Sequence, residues 1–294
     1  MAVTLIMTHI LKPPFTLIAP AKLNLFLHIN GRRDDGYHEL ETLFTFLEFG
    51  DDLTFTVTHE PDINVIGDTN GITLTDNLIY KAARLLQQHC GCQQGATIEL
   101  LKRLPMGGGV GGGSSDAATT LLALNKLWEC DLSLEELAKL GVTLGADVPV
   151  FINGHTAIAH GIGEQLENVE LPQSWFCVIH PGEHVSTAKI FTHPDLKRDT
   201  PKLKVDWQTE NLGNDCEPLV KKLCPEVEKV LQWLLKYAPS KMTGTGACCF
   251  AEFSTQAQAQ QVLAQLPDKW TGFVASSATL SPAHKALNAH FAMK

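Results

Sequence analysis

The sequence has no apolar run long enough to cross a bilayer, which excludes a membrane span. Basic residues are also scarce, because 23 lysines and arginines stand against 32 aspartates and glutamates and the net charge is −9. Nucleic acids and anionic membranes favour basic surfaces, so neither is expected as a partner. An anionic substrate would have to be held by local donors, since the overall charge of the protein repels it.

Cysteines and histidines do not form a metal-binding pattern. The eight cysteines include Cys90–Cys92 and the pair Cys248-Cys249, neither of which has the spacing of paired zinc ligands. His180 and His184 are four residues apart, but a proline-glycine pair between them breaks any helix that would align them. Reduced cysteines in a cytoplasmic protein are therefore expected.

The length of the chain indicates the number of domains, and its first residues indicate whether a signal segment is present. The 294 residues are enough for about two domains of ordinary size. Residues 1–14 have no charged leading region and no clear cleavage site, so we expect a short disordered or strand-forming extension rather than a secretory signal.

A glycine-rich loop is the most informative segment. Six of the seven residues in Gly107–Gly113 are glycine, and the loop follows a strand-like segment, Ala96–Leu101, and precedes an apolar helical pattern. Bare backbone amides and a helix N-terminus together form an anion site. An ordinary turn or a flexible linker would not require this order of strand, loop and helix. A Walker A motif has a lysine between its last glycine and the following serine, whereas Ser114 follows Gly113 directly, so the loop is not a Walker A motif. The spacing of its glycines does not match the dinucleotide fingerprint either.

Elsewhere, strands and helices alternate without a long parallel βαβ series, which indicates an α+β sandwich. The predicted strands are Thr16–Asn30 (interrupted near Pro20), Leu53–Val57, Ala96–Leu101, Thr156–His160, Trp175–Ile179, Cys248–Phe253 and Gly272–Ala275. The predicted helices are one from an Asp76 cap to near Gly91, one after the glycine loop with Ser114, Ser115 and Asp116 as available caps, Leu134–Leu140 with a capping box of Ser133 and Glu136, one from Ser186 or Thr187, Glu217–Tyr237 with a break at Pro225, and Gln256–Leu266.

Two further segments carry candidate catalytic groups. Alternation along the first strand places Lys22 and Asn24 on one face. Asp147 lies between Gly145 and Pro149, where a carboxylate projecting from a tight turn could serve as a general base. Taken alone, Asp147 fits a helix N-cap better than a catalytic base, with Pro149 in the first turn, and Lys22 fits an ordinary surface lysine, as most lysines are.

The combination of motifs resembles the GHMP small-molecule kinases. The segments that resemble that family, in order, are Pro20–Leu25, Pro105–Ala117, Leu144–Phe151 and Thr243–Ala247. Gly36–His38 and Asp76–Leu78 are similar to members that act on a cytidine diphosphate derivative of methylerythritol. The resemblance covers nearly all of the chain after about Phe15. It implies an α+β, two-domain GHMP kinase fold: an N-terminal ATP-binding α/β domain (1–163), a C-terminal ferredoxin-like α/β sandwich (164–294), and an active site in the cleft between them.

The resemblance also implies a reaction and a set of roles. The γ-phosphoryl group of ATP, with Mg²⁺, would pass to the tertiary 2-hydroxyl of the cytidine diphosphate methylerythritol substrate, in the cytoplasm, on the non-mevalonate route to isoprenoids. Asp147 would be the general base, and Lys22 would hold it ionised and stabilise the alkoxide. The implied ATP contacts are Lys102 beside the adenine, and Pro105, Met106, Gly107, Gly108, Gly109, Val110, Gly111, Gly112, Gly113, Ser114 and Ser115 around the phosphates. The implied substrate contacts are Asn24, Tyr37 and Phe191 sandwiching the cytosine, His38 hydrogen-bonded to it, Thr187 nearby, and Gly244, Thr245, Gly246 and Ala247 over the diphosphate.

Several points stay open at this level. No acidic pair is placed to bind Mg²⁺, so either the Ser115 hydroxyl or the phosphate oxygens alone could hold it. A monomer or a weak homodimer is expected.

Other GHMP enzymes, such as mevalonate, homoserine or galactose kinases or the related decarboxylase, share the glycine loop. A nucleotide sensor without catalysis is a further alternative, which the presence of both Lys22 and Asp147 disfavours.

Overall fold

The computed structural model describes residues 12–203 and 212–292, so most of the extension expected at residues 1–14 lies outside it. The strands are β1 (Phe15–Arg32), β2 (His38–Thr58), β3 (Ile63–Gly67), β4 (Gly95–Leu101), β5 (Ala157–His160), β6 (Gln165–Asn168), β7 (Trp175–His180), β8 (Ser240–Met242), β9 (Cys249–Phe253) and β10 (Thr271–Ala278). The helices are α1 (Leu78–Cys90), α2 (Gly112–Leu127), α3 (Leu134–Gly141), α4 (Val148–Asn153), α5 (Thr187–Thr192), α6 (Glu217–Leu223), α7 (Pro225–Leu234), α8 (Gln256–Leu263) and α9 (Pro282–Phe291). Within the described ranges, none of these helices is both long and apolar enough to span a membrane.

Strand β2 organises the sheet. It is 21 residues long and pairs antiparallel with β1, β4, β5 and β10 at different points along its length. The sequence predicted only Leu53–Val57, because the upstream residues 43–47 are all buried and do not alternate. A strand that is covered on both faces gives an apolar run instead of an alternating pattern.

The C-terminal strands form a ferredoxin-like layer, as the resemblance implied. Their order is β10-β7-β9-β8, and each neighbouring pair is antiparallel. Helices α5 to α7 connect β7 to β8, and α8 connects β9 to β10. The predicted break at Pro225 is confirmed, because α6 ends at Leu223 and α7 begins at Pro225, where a proline suits the first turn. The α+β class is likewise confirmed.

Two helix caps test the local predictions. The capping box of Ser133 and Glu136 at the start of α3 is confirmed in both of its hydrogen bonds. The cap of α1 was predicted one residue too early: the Asn77 side chain accepts from the Ile79 amide at 2.9 Å, whereas the Asp76 carboxylate accepts from the Thr73 hydroxyl. Asparagine is as good an N-cap as aspartate, so residue type alone does not separate the two positions.

Helix α2 begins earlier than its predicted caps. Its N-cap is Gly111, in the left-handed region at φ 77°, and no side chain caps the helix. The prediction that Ser114, Ser115 or Asp116 caps α2 is therefore wrong, because all three lie inside the helix. The N-terminal amides of α2 are consequently left without a side-chain partner.

The two halves of the chain pack against each other. The predicted boundary at residue 163 falls in the turn between β5 and β6, which pair with each other, and the division into 1–163 and 164–294 stays a prediction. Helix α9 had no predicted counterpart; it returns to the first strand, where the ring of Phe15 lies 4.4 Å from His290 and 5.9 Å from Phe291. One apolar cluster combines residues of both halves, including Leu23, Val110 and Phe176.

Asp51 fixes the segment that leads into the glycine loop. This carboxylate, on β2, has no exposed surface. It accepts from the backbone amides of Arg103 and Leu104 at 2.6 and 2.7 Å, and from the Lys102 ammonium at 2.6 Å. Three donors satisfy the buried charge, which ties the end of β4 to the middle of the sheet.

We predict that Asp51→Ala lowers the free energy of unfolding by roughly 3 kcal/mol, because it removes the acceptor of the Arg103 and Leu104 amides and one of the two carboxylates that pair with Lys102. The neighbouring Asp52→Ala is a matched control: it removes a partly exposed pair with Arg103 and should cost less than about 1 kcal/mol. Denaturant unfolding of both variants measures the difference, and equal losses would show that the Asp51 contacts do not stabilise the fold.

Candidate active site

A cavity of about 720 Å³ opens between the two halves of the chain. Residues of β1, of the segment before α1, of the glycine loop and of the start of α4 line it from one side, and residues of α5 and of the loop before β9 line it from the other. A volume of this size accommodates a substrate as large as a nucleotide. Nearly all of the predicted site residues line this cavity; Ser115, Gly246 and Ala247 do not.

The backbone of the glycine loop leaves its amides available. Gly107, Gly109 and Gly111 all have φ between 65° and 77°, a conformation that other residues rarely adopt. A side chain at Gly109 would also place a Cβ 2.5 Å from the Thr243 carbonyl oxygen. Within residues 12–203 and 212–292, no group accepts a hydrogen bond from the backbone amides of residues 107–114. These unpaired donors at a helix N-terminus form a cradle suited to phosphate.

The carbonyl groups of the same loop are used by the protein instead. They hold the loop against β1 and against the second glycine loop, which ends at β9. The donors are the amides of Ala247 (to Gly107, 3.2 Å), Cys248 (to Gly108, 3.0 Å) and Lys22 (to Val110, 3.0 Å). Because Ala247 is fully buried behind the first loop, the second loop supports the phosphate cradle from behind, a role that the sequence did not indicate.

Lys22 and Asp147 are brought together at the cavity. The Lys22 ammonium lies 3.7 Å from Asp147 Oδ2, donates to Asn24 Oδ1 at 2.5 Å, and sits 5.2 Å from the centre of the Phe44 ring. Burial lowers the pKa of Lys22, and the Asp147 carboxylate partly opposes that shift. The Asn24 amide donates in turn to Thr42 at 2.9 Å, so Asn24 orients Lys22 within the strand pair.

Asp147 stands at the N-cap position of α4 but does not cap it. No side-chain cap is formed, and Pro149 occupies the first turn, where a missing amide costs nothing. Its carboxylate is 43% exposed and lines the cavity beside Ala146. The position is therefore that of a cap, the carboxylate lines the cavity, and the role of Asp147 as a general base stays a prediction.

Lys102 lies at the other end of the cradle in a cluster of charges. Its ammonium contacts Asp51 at 2.6 Å and Asp116 at 2.8 Å, near the start of α2. Burial lowers the pKa of Lys102, but the two carboxylates outweigh it and the pKa is raised. Burial raises the pKa of Asp116 to about 7 despite the nearby lysine. The sequence did not single out Asp51 and named Asp116 only as a possible helix cap, because nothing local indicates that either carboxylate meets Lys102.

The predicted base-binding residues Tyr37, His38 and Phe191 line the same cavity. Tyr37 is 57% exposed, whereas His38 is buried and its ring lies 5.1 Å from that of Phe191, tilted by 32°. His38 Nε2 accepts from Arg198 Nε at 3.0 Å; Arg198 was not predicted, since it stands 160 residues away along the chain. The hydroxyls of Thr187 and Thr245 are 2.9 Å apart and join α5 to the second glycine loop.

The comparisons with known proteins agree with this architecture. The models of the GHMP kinases N terminal domain and the GHMP kinases C terminal match residues 77–155 and 193–272. A 4-diphosphocytidyl-2-C-methyl-D-erythritol kinase of Pseudoalteromonas translucida is 74% identical over 277 residues, covering 94% of this chain and 98% of the relative. A crystal structure of 4-(cytidine 5'-diphospho)-2C-methyl-D-erythritol kinase aligns with a TM-score of 0.79 at 33% identity, covering 90% of this chain and 99% of that one.

A more distant structure shares the fold alone. The homoserine kinase of Cytophaga hutchinsonii aligns with a TM-score of 0.66 at 18% identity, covering 93% of this chain and 97% of that one. High identity over almost the whole chain is found instead with the 4-diphosphocytidyl-2-C-methyl-D-erythritol kinase of Pseudoalteromonas translucida. The chain therefore belongs to the GHMP kinases, and within them to the family of 4-diphosphocytidyl-2-C-methyl-D-erythritol kinases.

Proposed function

We propose that this protein transfers the terminal phosphoryl group of ATP to the 2-hydroxyl of 4-diphosphocytidyl-2-C-methyl-D-erythritol. The observation that carries the proposal is the Lys22–Asp147 pair, at 3.7 Å, facing the same cavity as a loop of unpaired amides. GHMP kinases are ATP-dependent, and the names of the relatives supply the acceptor. The reaction belongs to the non-mevalonate route to isoprenoid precursors.

In this mechanism Asp147 accepts the proton of the attacking hydroxyl. The Lys22 ammonium offsets negative charge on the oxygen as the proton leaves. Asn24 and Thr42 hold the lysine in place, so the pair needs little reorganisation when the reaction occurs. The burial that lowers the pKa of Lys22 also strengthens its attraction to a developing anion.

The amides of residues 107–114 would hold the phosphate groups, with the positive end of α2 behind them. Lys102 is committed to Asp51 and Asp116, so we propose that it fixes the start of α2, and its contact with adenine stays a prediction. The diphosphate of the acceptor would lie against Gly244 and Thr245.

Magnesium would neutralise charge on the phosphates when it is bound. Among the described residues, no group of three histidine, cysteine, aspartate or glutamate side chains could hold a metal ion. The Ser115 hydroxyl, the one side-chain ligand that the sequence suggested, is buried and does not line the cavity, so it does not fit a metal ion bound to phosphates there. Mg²⁺ ordinarily retains waters and phosphate ligands, and we propose that most of its ligands here are phosphate oxygens.

The setting of the reaction follows from the same features. All eight cysteines lie in the described ranges and form no disulfide, which supports a reducing cytoplasm. We propose a monomer or a weak homodimer, because a single copy of the chain brings nearly all of the predicted site residues to the cavity.

A panel of acceptors tests the proposed function directly. Purified protein should release ADP with 4-diphosphocytidyl-2-C-methyl-D-erythritol and should be at least a hundredfold less active with mevalonate, homoserine or galactose. Such selectivity requires polar groups that the other acceptors leave unpaired. A coupled assay for ADP, with the enzyme-free reaction as blank, gives each kcat/KM. Preference for another acceptor would assign the chain to a different kinase reaction, and no turnover with any of them would favour a nucleotide sensor.

We predict that Asp147→Asn lowers kcat by about 10²–10⁴, because the amide cannot accept the hydroxyl proton while its size is unchanged. The KM for ATP should change little, since the loop amides are intact. The same ADP assay measures both constants, with the surface variant Asp268→Asn as the control. Full turnover in Asp147→Asn would exclude this residue as the base.

The pH profile of the residual activity gives a second readout for this variant. Asp147 opposes the lowering of the Lys22 pKa, so its removal should lower that pKa further and move the alkaline limb of kcat to lower pH. An unmoved limb would mean that Lys22 does not act through its charge.

Tyr37→Ala should raise the KM for the cytidine substrate about tenfold or more while changing kcat much less, because one stacked aromatic contributes roughly 1–3 kcal/mol of binding. Tyr237→Ala is the matched control, since Tyr237 is exposed and does not line the cavity. Equal losses in kcat and kcat/KM for Tyr37→Ala would argue against a stacking contact in the ground state.

A further inference from the structure

Arg198 makes a set of contacts that the proposed reaction does not use. Its guanidinium donates through Nε to His38 Nε2 at 3.0 Å, through Nη1 to the Leu196 carbonyl at 2.9 Å, and through Nη2 to the carbonyls of Phe191 and His193 at 2.9 and 2.6 Å. No carboxylate within residues 12–203 and 212–292 pairs with it. Four hydrogen bonds from one planar group hold Arg198 in a single orientation.

The contact with His38 determines which imidazole nitrogen carries the proton. Arginine has only donors and stays protonated, so His38 Nε2 must accept through its lone pair. In a neutral imidazole the single proton then resides on Nδ1. Arg198 thereby removes the tautomeric choice that a free histidine would have.

The charge state of His38 is fixed by the same surroundings. Burial lowers the pKa of His38, and the positive charges of Arg198 and Arg32 lower it further. Arg32 ends β1, and its partner across the strand pair is His38. An imidazolium would also place a second proton against the Arg198 Nε–H, which cannot accept it. His38 is therefore neutral, with one N–H donor.

That donor is available to a ligand. Among the described residues, no group accepts from His38 Nδ1, and His38 lines the cavity beside Tyr37 and Phe191. The Phe191 ring lies 5.1 Å from the imidazole, and its own carbonyl is one of the groups that Arg198 binds. One arginine thus positions both the aromatic ring and the hydrogen-bond donor of the proposed base site.

We propose that Arg198 is a positioning residue that holds His38 as the Nδ1–H tautomer and so makes the site selective for a pyrimidine with an acceptor at N3. This inference rests on the proposed function, which places a cytosine at Tyr37, His38 and Phe191. Cytosine N3 has a lone pair that can accept from the imidazole, whereas uracil carries a hydrogen there and would set donor against donor. A buried donor left unpaired rejects the wrong ligand more strongly than lost contact area does.

The tautomer can be measured on the unmodified protein. Two-bond ¹H–¹⁵N NMR correlations of labelled histidine distinguish a protonated Nδ1 from a protonated Nε2, with His38→Gln used to assign the signal. We expect His38 to be neutral and protonated at Nδ1 near pH 7, and to become a tautomeric mixture in Arg198→Met. A His38 that is protonated at Nε2, or whose tautomer does not respond to Arg198→Met, overturns the proposal.

Selectivity is measured by comparing kcat/KM for the cytidine substrate with that for its uridine counterpart. We expect Arg198→Met to reduce this ratio at least tenfold, mainly through a lower KM for the uridine compound, because the second tautomer presents a lone pair at Nδ1 to uracil N3–H, with kcat changed less than threefold. Arg198→Lys keeps the charge without the planar fork and should fall between the two. The control is Lys197→Met, which removes a neighbouring exposed cation that lies 4.0 Å from Asp215 and should leave the ratio unchanged.

A double-mutant cycle separates positioning of His38 from support of the backbone near α5. If Arg198 acts through the imidazole, Arg198→Met should change the cytidine-to-uridine ratio less than twofold in a His38→Ala background. An equally large change in both backgrounds would show that the contacts to the Phe191, His193 and Leu196 carbonyls account for the effect, and would overturn the proposal.

The experiments distinguish failure of the proposed function from failure of the proposed role of Arg198. Wild-type protein that does not phosphorylate the cytidine substrate would overturn the proposed function together with the cytosine selectivity that rests on it. Retained activity on that substrate, with a cytidine-to-uridine ratio that Arg198→Met leaves unaltered, would overturn only the role of Arg198.

Discussion

The placement of Lys22 is the constraint on which the rest of the site depends. Its backbone amide holds the carbonyl of Val110 in the phosphate loop at 3.0 Å, and its ammonium lies 3.7 Å from Asp147. Both contacts start from one residue of a strand that is paired along most of its length. Lys22 therefore connects the phosphate cradle to the proposed base through its backbone amide and its side chain. Orientation of this kind accounts for a large part of the rate enhancement of phosphoryl transfer.

Local signals were enough to predict much of this arrangement. Alternation along the first strand placed Lys22 and Asn24 together, and the order of strand, glycines and helix indicated the cradle. The capping box at Ser133 was readable because all of its atoms lie within one turn. Each of these features depends on residues that are close in sequence, so composition and spacing carry the information.

The features that sequence reasoning missed depend on distant contacts. Arg198 meets His38 across 160 residues, and Asp51 meets Lys102 across 51. Neither pair has a local pattern, since an arginine or an aspartate is unremarkable until the fold brings its partner close. Helix α9 was missed for a related reason, because it is stabilised by packing against β1 rather than by a side-chain cap.

The wrong prediction for the cap of α2 concerns the same helix N-terminus that we propose for phosphate binding. A serine or aspartate cap would satisfy one of the first amides and stabilise the helix by about 1 kcal/mol. It would also occupy a donor that the phosphate cradle leaves free. Gly111, at φ 77°, begins the helix without a side chain, and a Cβ there would approach the Phe151 ring to 2.6 Å. The missing cap would weaken α2 in isolation, but it leaves the N-terminus of the helix accessible to an anion. The apolar cluster that contains Val110 holds the glycine loop in place.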